Sequence, residues 1–309
     1  MRFSKIAIGV VLSVAAFSAH ASNYIDIGFE ENEIRISEDD GQNGNFYQTY
    51  MGFGFTPLAT SPFQIIGSMS SLQADDPSNR DSWDRVRKQL YVAYKWQVGD
   101  LTFAPMAGVR HHTYSDGDRR DTEIRFFPNL NYKVSNSTDV YLGGYVSTIP
   151  TQNKDRSGAT EDYKSYTDYK HELELGVKYK LSLNQYVKVG VFSEVDAFED
   201  KAPDAYEGLN QLMLRLAYGG NITDSLFLEG IARFDIQRDK KFVGLDTRDE
   251  KRNRYGVNFS YTLDQDWKVH GMAYYQTEDN KAHDGNGNVI GADDTNDKIV
   301  YSLMIRRSF

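Results

Sequence analysis

The feature that most constrains this chain is a two-residue alternation of apolar and polar side chains, clear in its final segment. Between 298 and 309, Ile299, Tyr301, Leu303, Ile305 and Phe309 share one parity, while Lys298, Ser302, Arg306 and Ser308 take the other. Successive side chains of a strand point to opposite faces, so one face here is apolar and ends on an aromatic ring, and the other is polar. The pattern recurs at Leu173, Leu175, Val177, Tyr179 and Leu181 against Glu172, Glu174, Gly176, Lys178 and Lys180. It recurs again at Tyr255, Val257, Phe259, Tyr261 and Leu263 against Arg254, Gly256, Asn258, Ser260 and Thr262. One such strand fits a soluble sandwich as well as a wall between lipid and a wet lumen. Repetition along the chain favours the wall.

Fourteen amphipathic segments follow one another: 24–36, 45–55, 63–73, 85–97, 101–114, 122–133, 139–148, 169–181, 186–198, 209–218, 225–238, 252–263, 267–278 and 297–309. The number is even, as bacterial single-chain barrels require. Pro105 and Pro128 fall inside two of them and weaken those strands locally. The connections have a polarity. Val98-Gly99-Asp100, 182–185 and 264–266 are tight turns, whereas 37–44, 74–84, 149–168, 199–208, 239–251 and 279–296 are longer and charged. Short periplasmic turns and long outer loops are the barrel norm. The expected fold class is all-β: a transmembrane antiparallel barrel of 14 strands, one domain over 22–309, with both termini periplasmic. The connection 115–120 is too short to fold inward as a constriction, which predicts a wide pore and removes one reason for trimerisation.

The N-terminus fits the same compartment. Arg2 and Lys5 precede the apolar run 6–17, and Ala19-His20-Ala21 matches a small-x-small cleavage site, so 1–21 reads as a secretory signal peptide. No segment approaches the roughly 20 apolar residues of a membrane helix. A mean hydropathy of -0.58 is compatible with a barrel, because half of each strand faces water. Cysteine is absent although an exported chain has access to disulfides. Removing Arg2 and Lys5 takes the formal charge from -9 to -11, which argues against a nucleic-acid partner.

At this point the mature chain resembles the monomeric outer-membrane porin G family and, more distantly, the oligogalacturonate-specific porins. The resemblance rests on fourteen strands, on Phe103-Ala104-Pro105-Met106-Ala107-Gly108-Val109-Arg110, on the run 172–179, and on 212–218 followed by an Arg-bearing strand. The closing Phe309 is similar to the C-terminal assembly signal of Gram-negative outer-membrane barrels. The resemblance implies a monomer in the outer membrane whose single pore passes small hydrophilic solutes and sugars, including maltodextrins, by diffusion, with 239–251 as the main gating loop. The family's pH-sensitive histidine pair has no counterpart on 252–263, where no histidine occurs; His270 and His283 are the nearest, which puts a histidine-driven gate in question.

Parity assigns the side chains that line such a pore. Basic positions are Arg85, Arg87, Lys95, Arg110 and Arg125 in one group of neighbouring strands and Arg215, Arg233 and Arg254 in another. Acidic positions on the same face are Asp26, Glu30, Glu123, Glu172, Glu174, Glu194, Glu229 and Asp235. Opposed charge rings tune selectivity and favour hydrated solutes; they also neutralise one another across strands and keep the lumen wet. Inward Tyr91, Phe127, Tyr141, Tyr145, Phe192, Phe227 and Tyr274 suit the apolar faces of sugar rings, or simply pack the interior. Outward Trp96, Tyr132, Tyr179, Tyr218, Tyr261, Trp267 and Phe309 lie at turn ends and read as the periplasmic aromatic girdle.

No catalytic residue, metal site or cofactor is expected. His111 and His112 are adjacent on a strand and point to opposite faces. No H-x-x-x-H, G-x-S-x-G or phosphate-loop motif occurs, and His112 with Asp116 and Asp118 is a weak hint of a hydrolase. Asp284, Asn286 and Asn288 start like a calcium loop, but Val289 and Thr295 replace its glycine and terminal glutamate. An acidic-sugar channel, using the arginines as a carboxylate track, is the alternative to the general pore.

Overall fold

The computed structural model describes residues 23–36, 45–57, 61–74, 84–115, 120–154, 163–198, 206–242, 248–283 and 289–309. They form one antiparallel sheet closed into a barrel of 14 strands, without helices among the described residues. The first strands are β1 (Tyr24–Ile36), β2 (Phe46–Phe55), β3 (Phe63–Ala74) and β4 (Arg85–Tyr94, continued by Trp96–Val98). Next come β5 (Leu101–Phe103, continued by Met106–Tyr114) and β6 (Arg120–Phe127, continued by Leu130–Lys133). Then follow β7 (Thr138–Lys154), β8 (Tyr163–Lys180), β9 (Gln185–Ala197), β10 (Tyr206–Asn221) and β11 (Leu226–Phe242). β12 (Arg248–Thr262), β13 (Trp267–His283) and β14 (Val289–Ser308) complete the wall. Each strand pairs with its neighbour in sequence, and β1 closes the ring by pairing with β14, Tyr24 opposite Ser308. The signal-peptide segment 1–21 lies outside the described residues.

The turns at the end that holds both chain termini explain the tight register. After β6, β8, β10 and β12, a Ser, Thr or Asp side chain accepts backbone N–H bonds from the residues that follow it: Ser135 from Ser137 and Thr138, Ser182 from Asn184, Thr223 from Ser225 and Leu226, Asp264 from Asp266 and Trp267. These side chains imitate a backbone carbonyl and fold the chain back in few residues. The turn between β4 and β5 instead uses Gly99 at φ 57°, a conformation side chains disfavour.

The barrel departs from the sequence expectation at its other rim. The segments 149–168, 239–251 and 279–296 read as long outer loops, yet the ladders continue through Pro150–Lys154 opposite Tyr163–Thr167, through Lys240 opposite Arg248, and through Glu278 opposite Asn296. Crossing the hydrocarbon takes about 9–11 residues of strand. The 17 residues of β7 and the 20 of β14 therefore stand well beyond it. Apolar alternation stops where lipid stops, but hydrogen-bond pairing does not, so polar strand has the sequence pattern of a loop. The stretches 155–162, 243–247 and 284–288, including Asp284, Asn286 and Asn288, lie outside the described residues, as do Asp116 and Asp118.

A second irregularity crosses the wall near the turn end. β4 breaks at Lys95, β5 at Ala104-Pro105 and β6 at Pro128-Asn129, while β7 carries Gly143-Gly144 at the same level. Asn129 has φ 33° and Gly144 φ 100°. Ladder pairing between β6 and β7 stops at Leu130 opposite Leu142 and resumes at Phe126 opposite Val146. The two prolines lack the N–H that a central strand needs. A line of strand breaks thus runs across three neighbouring strands to the Gly143-Gly144 pair of the unbroken β7, backed on the lumen side by Tyr91, Phe127 and Tyr145, with ring centroids 5.4 Å apart from Tyr91 to Phe127 and from Phe127 to Tyr145.

Candidate functional site: the lumen wall

Facing is read from exposure. Ile27, Phe29, Leu90, Val109, Ile124, Leu175, Val191, Tyr255 and Leu303 are exposed apolar residues on the outside, whereas Asp26, Glu123, Arg125, Gln211, Arg238, Glu250 and Gln276 are buried within. This inversion suits a wall whose outer face meets lipid. At the turn end, Trp96, Tyr132, Tyr179, Tyr218, Tyr261 and Trp267 are exposed outside. Phe309 joins them, its N–H bonded to Asn23 O at 2.9 Å. Phe63, Tyr94 and Phe103 extend the belt by ring contacts: Phe63 to Tyr94 at 4.5 Å, Tyr94 to Trp96 at 4.0 Å and Trp96 to Phe103 at 5.5 Å.

Inside, strand register sets a polar belt. Ser147 lies opposite both Arg125 and Lys170, Lys170 opposite Asp196, Glu194 opposite Gln211, and Gln211 opposite Arg238. Arg233 lies opposite Arg215 and Arg254, Arg254 opposite Gln276, and Gln276 opposite Lys298. The belt runs from β4 to β14. On β2 and β3 the inward positions are uncharged, among them Gln48, Tyr50, Ser68 and Ser70.

Four arginines meet on β4 to β6. Arg87 lies opposite Ser70 and His112, Arg110 opposite Gln89 and Glu123, and Arg125 opposite Gly108 and Ser147. Arg85 sits one inward step above Arg87. Glu123 is the acid that two of them approach: Arg110 reaches it at 2.5 Å, and Arg125 Nε comes within 2.9 Å without hydrogen-bond alignment. Ser147 donates to the same carboxylate at 2.8 Å. Arg125 lies 3.8 Å over the Tyr145 ring. Neither Arg85 nor Arg87 makes an ion pair among the described residues, and the buried Arg87 Nε finds no acceptor there. Lys95 is not part of this group: it occupies the break in β4, is exposed, and donates its backbone N–H to Pro62 O at 3.0 Å. His112 faces in and is buried, while His111 faces out and bonds Thr122 at 2.9 Å.

The opposite wall carries more acids and pairs more of its cations. Lys170 bridges Glu172, Glu194 and Asp196 at 3.1–3.2 Å, and Tyr145 donates to Glu172 at 2.5 Å. Arg215 pairs with Glu174 at 2.8 Å and covers Phe192 at 3.4 Å; Tyr141 donates to Glu174 at 2.6 Å. Arg254 bonds Gln276 at 2.7 Å and covers Tyr274 at 4.1 Å. Arg233 joins Glu174, Arg215, Glu229 and Asn258 around a 160 Å³ recess. Glu229 accepts from Tyr186 at 2.6 Å, Asn258 at 3.0 Å and Lys188 at 3.1 Å. Higher up, Arg238 pairs with Glu250 at 2.8 Å and Gln211 at 2.8 Å, Lys240 with Glu250 at 2.6 Å, and Asp235 bonds Gln211 and the backbone N–H of Arg252. Near the turn end, Arg306 grips Asp26 with two bonds of 2.7 and 2.8 Å. Above that pair, Glu30, Gln48, Tyr50, Phe227, Met272 and Met304 line a recess of 410 Å³.

Several of these residues go beyond the sequence reading. Lys170, Asp196, Gln211, Arg252 and Arg306 share the inward parity of their strands and were reachable by the same rule. Arg238 was not. A bulge leaves Ile236 unpaired, since Leu212 lies opposite Gln237 and Met213 opposite Asp235. The extra residue reverses parity, so Ile236 and Gln237 are exposed and Arg238 is buried.

No protein-family model matches the sequence, and no curated protein matches it. Solved structures do. The monoaromatic hydrocarbon channel CymD superimposes with a TM-score of 0.54 at 11% identity, over 99% of this chain and 94% of that one. A Pseudomonas aeruginosa FadL homologue gives 0.51 at 9% identity over 93% and 90%, and the Pseudomonas putida toluene transporter TodX 0.50 at 9% over 94% and 90%. At these identities the likeness is one of fold, and together with the lipid-facing outer wall it makes the protein a fourteen-stranded barrel of the Gram-negative outer membrane.

Proposed function

We propose that the protein is a passive outer-membrane channel for small hydrophilic solutes, maltodextrin-like sugars among them, working as a single subunit and performing no chemistry. The observation that carries this reading is the charged belt. Its ion pairs lie within one strand or join strands that are neighbours or next but one, as in Arg215 to Glu174 and Lys188 to Glu229, so they follow the wall rather than bridge the lumen. A wall of fixed charges and hydroxyls favours hydrated solutes. CymD and TodX are described as hydrocarbon carriers; a belt this charged points to polar cargo here. In planar bilayers the barrel is expected to conduct steadily in single-subunit steps, and maltodextrins are expected to lower the current in proportion to their length. Absence of conductance from folded barrels would refute the reading.

The acid-poor arginines of β4 to β6 favour a second reading, a channel for acidic oligosaccharides, because guanidinium groups pair bidentately with carboxylates. Entry rates of uronate and neutral oligomers of equal size separate the two. The general channel predicts little difference, and a large uronate advantage lost in Arg87→Ala/Arg110→Ala would favour the second.

A further inference from the structure

The outer surface carries one arrangement that permeation does not use. Arg307 has the parity of Ile305 and Phe309, is exposed on the lipid side, and lies opposite Ile25 on β1 and Trp267 on β13. Its guanidinium stands 5.3 Å from the Trp267 ring and 4.9 Å from the Phe309 ring, and it makes no ion pair among the described residues. Immediately beside it is an apolar recess of 350 Å³, lined by Ile25, Phe53, Gly54, Phe55, Ile65 and Phe309. Phe309 and Ile25 belong to both features: one touches the cation or pairs with its strand position, and both wall the recess.

We propose that this corner is a binding site for one anionic glycerophospholipid of the periplasmic leaflet, with its phosphate on Arg307 and an acyl chain along the recess. The depth is right, because Arg307 is level with the girdle residue Trp267, and girdle rings mark the headgroup region. The charge is right, because a guanidinium at the interface pairs with phosphate through a planar fork. Two aromatic faces hold that fork in place without neutralising it. The recess supplies what a free phosphate would not use, an apolar slot opening toward the hydrocarbon. Basic pockets beside membrane-spanning elements recognise anionic headgroups in the same way.

The test counts lipids. The folded barrel, in a non-ionic detergent, is offered phosphatidylglycerol and phosphatidylcholine of matched chains at equal amounts, and native mass spectrometry reads what it retains. One phosphatidylglycerol is expected to be held in preference by about tenfold, a difference that one charged contact supplies. Arg307→Gln is expected to abolish the preference, and Ile65→Trp, which fills the recess, to reduce retention of both lipids. On the unaltered chain the preference is expected to weaken as salt rises, which needs no variant to fold. Equal retention of the two lipids by the unaltered chain, a preference that survives Arg307→Gln, or indifference to salt would overturn the proposal. So would detergent as the sole bound molecule, or a dimer that Ile65→Trp disperses.

Discussion

The two arginine groups of the lumen are made of the same residue in opposite company. On β4 to β6, of Arg85, Arg87, Arg110 and Arg125 only the last two reach an acid among the described residues, and it is the same one, Glu123. On β10 to β12, Arg215 has Glu174 and Arg238 has Glu250, while neutral Gln211 holds the guanidinium of Arg252, Gln276 holds that of Arg254, and Arg233 makes no ion pair among the described residues. The strands differ as well: β6 is built of pieces of 8 and 4 residues, whereas β10 and β11 run 16 and 17. The difference separates two uses of charge. In the tall wall, charges hold strands together where they rise past the membrane. In the low wall, positive charge is left over, and leftover charge acts on what passes.

The comparison breaks first at Glu250, whose side chain is 1% exposed between Arg238 at 2.8 Å and Lys240 at 2.6 Å. Glu250→Gln leaves two cations without their partner, and the expected loss is about 3–5 kcal/mol in a urea refolding titration. Arg87→Ala, which breaks no ion pair, is expected to leave the same titration unchanged or move it toward stability. A matching loss at both sites would erase the distinction.

The next effect checks that the contrast is confined to the lumen. Leu90 on β4 and Leu175 on β8 are both exposed toward lipid, at 50% and 58%. Arg at either is expected to cost ~2–4 kcal/mol, because both walls meet the same hydrocarbon. Tolerance at either position would mean that its facing is wrong by one residue.

The smallest effect is on ions. Arg87→Ala/Arg110→Ala is expected to raise conductance modestly and move the reversal potential in a salt gradient toward cation preference. The shift should fade at high ionic strength, since the Debye length falls from about 10 Å at 0.1 M to about 3 Å at 1 M. Arg238→Ala, in the tall wall, is expected to move the reversal potential less while destabilising the barrel more. The reverse order would exchange the roles of the two groups.

Within the membrane the architecture was legible in residue parity, because lipid on one side and water on the other force a period of two. Leu173 to Leu181 and Tyr255 to Leu263 placed their strands and their facing from sequence alone. The rim was not legible: 150–154 and 163–167 pair as strands in water, where nothing selects apolar residues. Arg238 was hidden for a different reason, since one unpaired residue at Ile236 inverts every parity beyond it. Which arginines keep an acid is a matter of partners two strands away, as with Arg215 of β10 and Glu174 of β8, and no single strand records it.

The line of breaks through Lys95, Pro105 and Pro128 has a consequence for cooperativity. A closed barrel gains its rigidity from an unbroken hydrogen-bond circuit, in which each strand is held on both edges along its whole length. Here the regular ladder is interrupted at one level on three neighbours, β4 to β6, where single bonds such as Tyr94 N–H to Pro105 O and Ala104 N–H to Asn129 O carry the pairing, and of the short pieces Trp96–Val98, Leu101–Phe103 and Leu130–Lys133 only the last is laddered to a long strand, β7. Such a patch can open by itself, at a cost set by its own few bonds rather than by the global stability of the barrel. The wall beneath the arginines of β4 to β6 is therefore expected to loosen more readily than the tall wall opposite.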